Sequence, residues 1–201
     1  MRSVRRLAAV ISFSASALLP AAVNAQTITF DALGGSNGDS FSSYSEAGFN
    51  VSSLTGDICV AKVFGNPTPD LYGGLACNSA QPSSTLRITK IGGGSFSFLS
   101  ADLSANNGPA SYTFEGFLGA ISQYSVSSTF DYGNATFGNT ANSAGNVFVD
   151  ELRISLSGTG TSYNIDNIAL STTSVPEPAS VALLAIGMVG LAATRRQRRV
   201  S

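Results

Sequence analysis

Residues 148–170 read FVDELRISLSGTGTSYNIDNIAL, and this stretch decides the fold. Leu152, Ile154 and Leu156 alternate with Glu151, Arg153 and Ser155. A two-residue period puts one set of side chains on a core face and the other in water, the pattern of an antiparallel strand with one wet side. Thr159-Gly160-Thr161 then turns the chain. Tyr163, Ile165 and the pair Ile168/Leu170 form a closing strand, with an irregularity at Asp166-Asn167.

Upstream the same short alternation recurs in Ile28/Phe30, Phe49/Val51, Ile58/Val60, Leu86/Ile88, Phe96/Phe98 and Tyr112/Phe114. Tyr124, Val126, Ser128 and Phe130 share a face in the same way. Between these bursts stand turn formers such as Gly34-Gly35-Ser36-Asn37-Gly38-Asp39, Gly65-Asn66-Pro67-Thr68-Pro69-Asp70 and Asn106-Asn107-Gly108-Pro109. Residues 71–84, with Gly73-Gly74, read as loop. Many short strands and no long helix predict an all-β domain over residues 26–170, a jelly-roll-like antiparallel β-sandwich. A β-helix would need a fixed repeat period, and none is visible.

Both ends carry different signals. Residues 1–25 have Arg2, Arg5 and Arg6, an apolar run and the small-residue ending Val23-Asn24-Ala25, which reads as a signal peptide cut to leave Gln26 first. An uncleaved anchor is the alternative, weakened by Ser12, Ser14 and Ser16 within the apolar run. Residues 171–178 form a linker, residues 179–194 are apolar and uncharged, and residues 195–201 are a basic tail. Charges are costly in hydrocarbon, and arginines gather on the cytoplasmic side of a span. Residues 179–194 are therefore expected to form a single transmembrane helix, of about 24 Å against about 30 Å of hydrocarbon. A buried core helix is the alternative.

Val175, Pro176, Glu177 and Pro178, the apolar run, and Arg195, Arg196, Arg198 and Arg199 together resemble the PEP-CTERM sorting signal of Gram-negative bacteria. The resemblance implies two processing partners, signal peptidase and an exosortase-type membrane protease that cuts near the Pro-Glu-Pro. It implies transient anchoring in the inner membrane with the body outside the cytoplasm, then delivery to the cell surface or beyond. Ile28-Thr29-Phe30-Asp31 and Tyr163-Asn164-Ile165-Asp166-Asn167-Ile168 resemble the first and last strands of secreted jelly-roll modules related to galactose-binding and other carbohydrate-binding domains. That likeness implies neighbouring terminal strands with a structural calcium close by.

Composition narrows the chemistry. Residues 26–178 hold four basic side chains against all twelve acidic ones, a formal charge of −8, which excludes a nucleic-acid backbone as partner. Cys59 and Cys77, both in the exported part, read as one disulfide; a catalytic thiol pair would want a C-x-x-C spacing or a histidine partner. The absence of histidine removes the usual general base and the Ser-His-Asp arrangement. No cofactor is expected apart from a structural calcium. Its oxygen ligands would be Asp31 and Asp166, with Asp39 or Glu46 added; solvated turn residues are the alternative reading. Sugar platforms, in a chain without tryptophan, would be Tyr72, Tyr44, Tyr124 or Tyr132, unless these rings fill the core rim.

The expected function is that of a non-enzymatic exported protein of the cell surface or the extracellular polysaccharide matrix. The alternatives are a carbohydrate-binding module recognising exopolysaccharide, and a glycan-active enzyme using a carboxylate pair such as Glu115 with Glu151. Adjacent Asp150 and Glu151 would point to opposite faces of a strand. Recognition would place two or more of the four tyrosines in a surface groove, whereas a structural role would bury them.

Overall fold

In a computed structural model of the chain, the alternating bursts become strands. The structure describes residues 23–75, 77, 81–133 and 136–173. Its strands are β1 (Val23–Ile28), β2 (Ser43–Glu46), β3 (Phe49–Thr55), β4 (Ile58–Ala61), β5 (Asp70–Gly74), β6 (Ser83–Lys90), β7 (Phe96–Asn106), β8 (Ala110–Leu118), β9 (Ile121–Phe130), β10 (Gly138–Ala141), β11 (Phe148–Val149), β12 (Glu151–Ser157) and β13 (Ser162–Thr173). All pairings are antiparallel. Sheet I runs β10-β7-β13-β5-β4, with β1 also paired to β13 and β11 to β7; sheet II runs β2-β3-β6-β12-β8-β9.

The two sheets face each other through the alternating apolar residues. Leu152, Ile154 and Leu156 of β12, with Leu86, Ile88 and Phe114 beside them, are buried against Phe96, Phe98, Leu103, Ile165 and Leu170 of sheet I. Aromatic edges lock the layers together. Phe49 meets Phe96 at 5.1 Å and 75°, and Phe98 meets Phe114 at 4.7 Å and 73°, the edge-to-face geometry favoured by ring quadrupoles.

The terminal strands are neighbours. β1 lies along β13 from Val23↔Thr173 to Ile28↔Ile168, so its first three residues come from the segment read as signal peptide. On the same side of β13, β5 pairs from Ser162↔Gly74 to Ile165↔Leu71. The expected loop over residues 71–84 thus begins with a strand inside sheet I. Its glycines mislead, since Gly73 sits directly across from Tyr163 and a Cβ there would stand 2.6 Å from the ring. Gly116 on β8 underlies Tyr124 in the same way, with Val149 also in contact. Cys59 and Cys77 are disulfide-bonded, tying β4 to the chain just beyond β5.

The expected C-terminal transmembrane helix is corrected. The described residues form an all-β fold, and no helix among them is long and apolar enough to cross a membrane. Residues 179–194 lie outside the described residues, and a sixteen-residue helix would fall short of the hydrocarbon thickness. The helix, and the inner-membrane anchoring inferred from it, are withdrawn.

Two substitutions test this packing. Gly116→Ala forces a methyl against the Tyr124 ring and Val149 and is expected to lower stability by about 1–3 kcal/mol. Joint replacement of Cys59 and Cys77 by serine, which opens a loop of sequence separation 18, is expected to cost about 3 kcal/mol. Urea unfolding of each variant beside the parent chain measures both.

Candidate functional site

The site lies on the face of sheet I turned away from the core. On β13, Tyr163 and Ile165 point inward, so alternation turns Asn164 and Asp166 outward. Asn164 pairs with Ser104 and Tyr72, and Asp166 pairs with Asp102, which in turn pairs with Asn139 of β10. Asp70 stands one residue before the last β5–β13 pair, Ile165↔Leu71. One transverse band therefore gathers carboxylates and amides from four strands.

The outward side chains are nevertheless buried. Asp70 and Asp166 have no exposed surface, and Asn164 is 2% exposed. Much of the cover is the segment 62–69. The Asn66 backbone N–H donates to Asp166 Oδ2 at 2.7 Å, and its side-chain amide reaches Asp102 Oδ2 at 3.2 Å. Asn167, held at φ 45°, donates its backbone N–H to Asp166 Oδ1 at 2.7 Å and its amide to the Asn66 carbonyl at 2.6 Å.

Burial dominates the electrostatics. It pushes the Asp166 carboxyl up to about 7, against the two backbone N–H donors and with Asp31 and Asp102 adding repulsion. It pushes Asp70 up to about 8, with Asp166 adding to the rise and the Asn164 amide opposing it. Asp70 Oδ2 accepts from Asn164 Nδ2 at 2.9 Å, while its Oδ1 is buried without a hydrogen-bond partner among the described residues.

Beside Asn164 the surface opens into a hollow of about 220 Å³ lined by Asn37, Val63, Phe64, Tyr72, Asn106 and Asn164, with Ala61. Val63 is 66% and Phe64 44% exposed. The amides are fixed: Asn106 Nδ2 donates to Asn164 Oδ1 at 3.0 Å, and Asn37 Oδ1 accepts the Lys62 N–H at 2.9 Å. Two rings thus stand beside three oriented amides, a surface that can take an apolar face and hydroxyl groups together.

Of the four tyrosines proposed as platforms, Tyr72 alone lines this hollow. Tyr44 packs on Phe30 with ring centroids 5.8 Å apart. Tyr124 packs against the core; burial pushes its hydroxyl to about 12 against the lowering effect of the Asn142 side chain, and no hydrogen bond within geometric reach satisfies it among the described residues. Tyr132 leans on Phe130 at 6.2 Å, and its hydroxyl meets Thr140 at 3.3 Å. Phe64 was not foreseen as a platform. Its signal was an apolar pair, Val63-Phe64, set directly before Gly65-Asn66-Pro67.

The proposed calcium ligands divide. Asp31 comes close enough to Asp166 to raise its affinity for a proton. Asp39 instead accepts the Ser36 N–H at 2.7 Å within its own loop. Glu46 accepts from Thr29 N, Phe30 N and Thr29 Oγ1, each at 2.9 Å, which holds the chain where Phe30 takes a φ of 60°. Among the described residues no three histidine, cysteine or acidic side chains group so as to hold a metal ion. Glu115 and Glu151 lie on the outer face of sheet II. Burial raises the Glu151 carboxyl, but Arg153 and Arg87, each at 2.7 Å, outweigh it and hold the group below its usual range. Val175 to Pro178 and Arg195 to Arg199 lie outside the described residues.

The PEP-CTERM protein-sorting motif matches residues 174–199. The chain thus carries this motif, which implies processing by an exosortase-type partner and supports export to the cell surface or beyond. No curated protein matches the sequence. The β-sandwich is weakly similar to solved carbohydrate-binding modules. CBM29_1, a family 29 module from Piromyces equi, matches with TM-score 0.45 and 10% identity over 77% of this chain and 94% of that one. TmCBM61 in complex with beta-1,4-galactotriose matches with TM-score 0.42 and 12% identity over 64% and 90%. A CBM29-2 mutant made to probe ligand recognition matches with TM-score 0.37 and 14% identity over 78% and 96%. At these values the likeness is one of fold.

The buried carboxyls set a pH dependence. Asp70 and Asp166 keep their protons in the fold at pH values where an unfolded chain, near the ordinary 3.8, has lost them. The folded state then binds more protons, so the stability these two groups contribute is full below about pH 4 and is lost as pH rises through about 7 to 8. The urea midpoint is expected to fall from pH 5 to pH 8.5. Asp70→Asn is expected to flatten that fall and to stabilise the chain at pH 8 by about 1–3 kcal/mol, by removing the cost of ionising a buried carboxyl. A midpoint that rises over the same interval contradicts this account.

Proposed function

We propose that the exported body is a non-catalytic β-sandwich module of the cell surface or extracellular polysaccharide matrix, and that its hollow binds neutral sugar units of a matrix polysaccharide. The observation that carries this reading is the meeting of Phe64 and Tyr72 with the amides of Asn37, Asn106 and Asn164 in one hollow. A sugar ring offers an apolar C–H face and an equatorial belt of hydroxyls, which such a surface complements. The formal charge of −8 on residues 26–178 disfavours anionic sugars. The sorting motif supports the location.

Catalysis has less support. The two carboxyls with raised proton affinity have no exposed surface, so a substrate cannot reach them, and Glu151 is held ionised between two arginines. A purely structural matrix role is the second reading, favoured by the packing of Tyr44, Tyr124 and Tyr132 against core residues.

Affinity electrophoresis of the oxidised chain against a panel of neutral and anionic polysaccharides separates the two. Retardation by at least one neutral polymer is expected. Tyr72→Ala and Phe64→Ala are each expected to weaken it about tenfold, a loss of about 1.4 kcal/mol, with melting unchanged. Wild-type migration that no polymer alters leaves the structural role.

A further inference from the structure

The sheet edges are unequal. In sheet I, β11 has two residues, β4 and β10 four each and β1 six. The outer side of β4 is also covered: Gly38 N donates to Val60 O at 2.9 Å, Val60 N to Asp39 O at 2.9 Å and Phe41 N to Ile58 O at 2.8 Å. In sheet II, β2 has four residues and ends on Glu46. The opposite edge is β9, ten residues reading ISQYSVSSTF, with no charge, no glycine and no proline. Among the described strands it pairs with β8 alone, and the other bonds to its backbone come from its own side chains: Gln123 Nε2 donates to Ile121 O at 3.0 Å and Ser122 Oγ to Tyr124 O at 3.5 Å.

Natural edge strands are kept apart by shortness, lysines, prolines, bulges or a covering segment. β9 has one such device, a bulge at Gln123 where the register shifts between Gly116↔Tyr124 and Phe117↔Ser122. Beyond it, residues 124–130 run in unbroken register with β8, and all but Tyr124, Val126 and Phe130 are exposed.

We propose that β9 is a docking edge for a second copy of this chain, pairing antiparallel with its own counterpart about a two-fold axis at Ser127. Self-pairing of this kind is isologous, so each contact is made twice. About that axis Tyr124 faces Phe130, Ser125 faces Thr129, Val126 faces Ser128 and Ser127 faces itself. Rings thus meet rings across the axis, and the outer-face positions match hydroxyl to hydroxyl. The nearest acid, Asp131, faces Gln123, so the negative body places no like charges opposite each other in the ladder. Among the described edges, β9 is also the longest uncharged strand that could answer another β9. Two copies of sheet II would then merge into one continuous sheet. The proposal does not rest on the sugar-binding reading, because β9 contributes nothing to the hollow.

Sedimentation equilibrium of the full oxidised chain tests it. A mass of twice 20.5 kDa is expected at micromolar concentration. Ser127→Lys, which sets two like charges at the axis, is expected to weaken dimerisation at least tenfold while the far-UV circular dichroism stays that of the folded parent. Ser127→Cys would oppose two thiols with Cα atoms about 4.5–5.5 Å apart, within disulfide reach. It is expected to give a covalent dimer on mild oxidation, whereas Thr129→Cys, displaced from its own copy, is not. A monomeric wild type, a dimer that survives Ser127→Lys, or equal cross-linking at 127 and 129 overturns the proposal. Should the cysteine variants fail to fold, the wild-type mass and the lysine variant still decide it.

Discussion

The pairing of β13 is the constraint on which the rest of sheet I depends. The last described strand does not close an edge. It runs through the middle, with β7 along one side and β5 and β1 sharing the other. Alternate residues of this strand therefore serve two purposes at once. Tyr163, Ile165, Ile168 and Leu170 fill the core, while Asn164 and Asp166 build the outer band. The register shift between Asp166 and Ala169 falls where the chain changes from β5 to β1 as neighbour. That break gives Asn167 the turn it needs to bond both Asp166 and the Asn66 carbonyl.

Much of this was legible from side-chain period. The alternation at Leu152, Ile154 and Leu156, at Phe96 and Phe98, and at Leu86 and Ile88 marked residues that are all buried, because a half-buried sheet imposes that period directly on the sequence. The failures have identifiable causes. β5 reads as loop because Gly73-Gly74 is a turn signal in isolation; Gly73 is required by the Tyr163 ring, from a strand some ninety positions later. Asp39 and Glu46 have the right chemistry for a cation, yet each is spent on backbone N–H groups, Asp39 within its own loop and Glu46 on Thr29 and Phe30. Which tyrosines face solvent depends on sheet order, and sheet order is not a local property of a sequence.

The polar band and the hollow share a mechanical link. Segment 62–69 carries Phe64 into the hollow and, two residues on, sets Asn66 over Asp166 and Asp102. Ionising Asp166 beside Asp31 and Asp102 concentrates like charge beneath the segment that presents the ring. Raised proton affinity in a cleft usually marks a catalytic acid. Here the two groups are sealed, so the same physics acts on the seating of a loop.

The boundaries of the fold bear on processing at the two ends. β13 ends at Thr173, and the sorting motif is matched from residue 174. A cut near Pro176-Glu177-Pro178, which the PEP-CTERM resemblance implies, falls beyond every pair that β13 makes, so the central strand of sheet I survives it whole. Removal of residues 1–25, the cut expected of a signal peptide, would act differently. It would take three of the six pairs between β1 and β13 and leave Gln26↔Leu170, Thr27↔Ala169 and Ile28↔Ile168. The pair that remains deepest is the one that matters for packing, since Ile28 and Ile168 are both fully buried. Thr29 and Phe30, fixed by the Glu46 carboxylate, follow directly behind it. The carboxylate thus anchors the shortened strand from its far end, where the trimming does not reach.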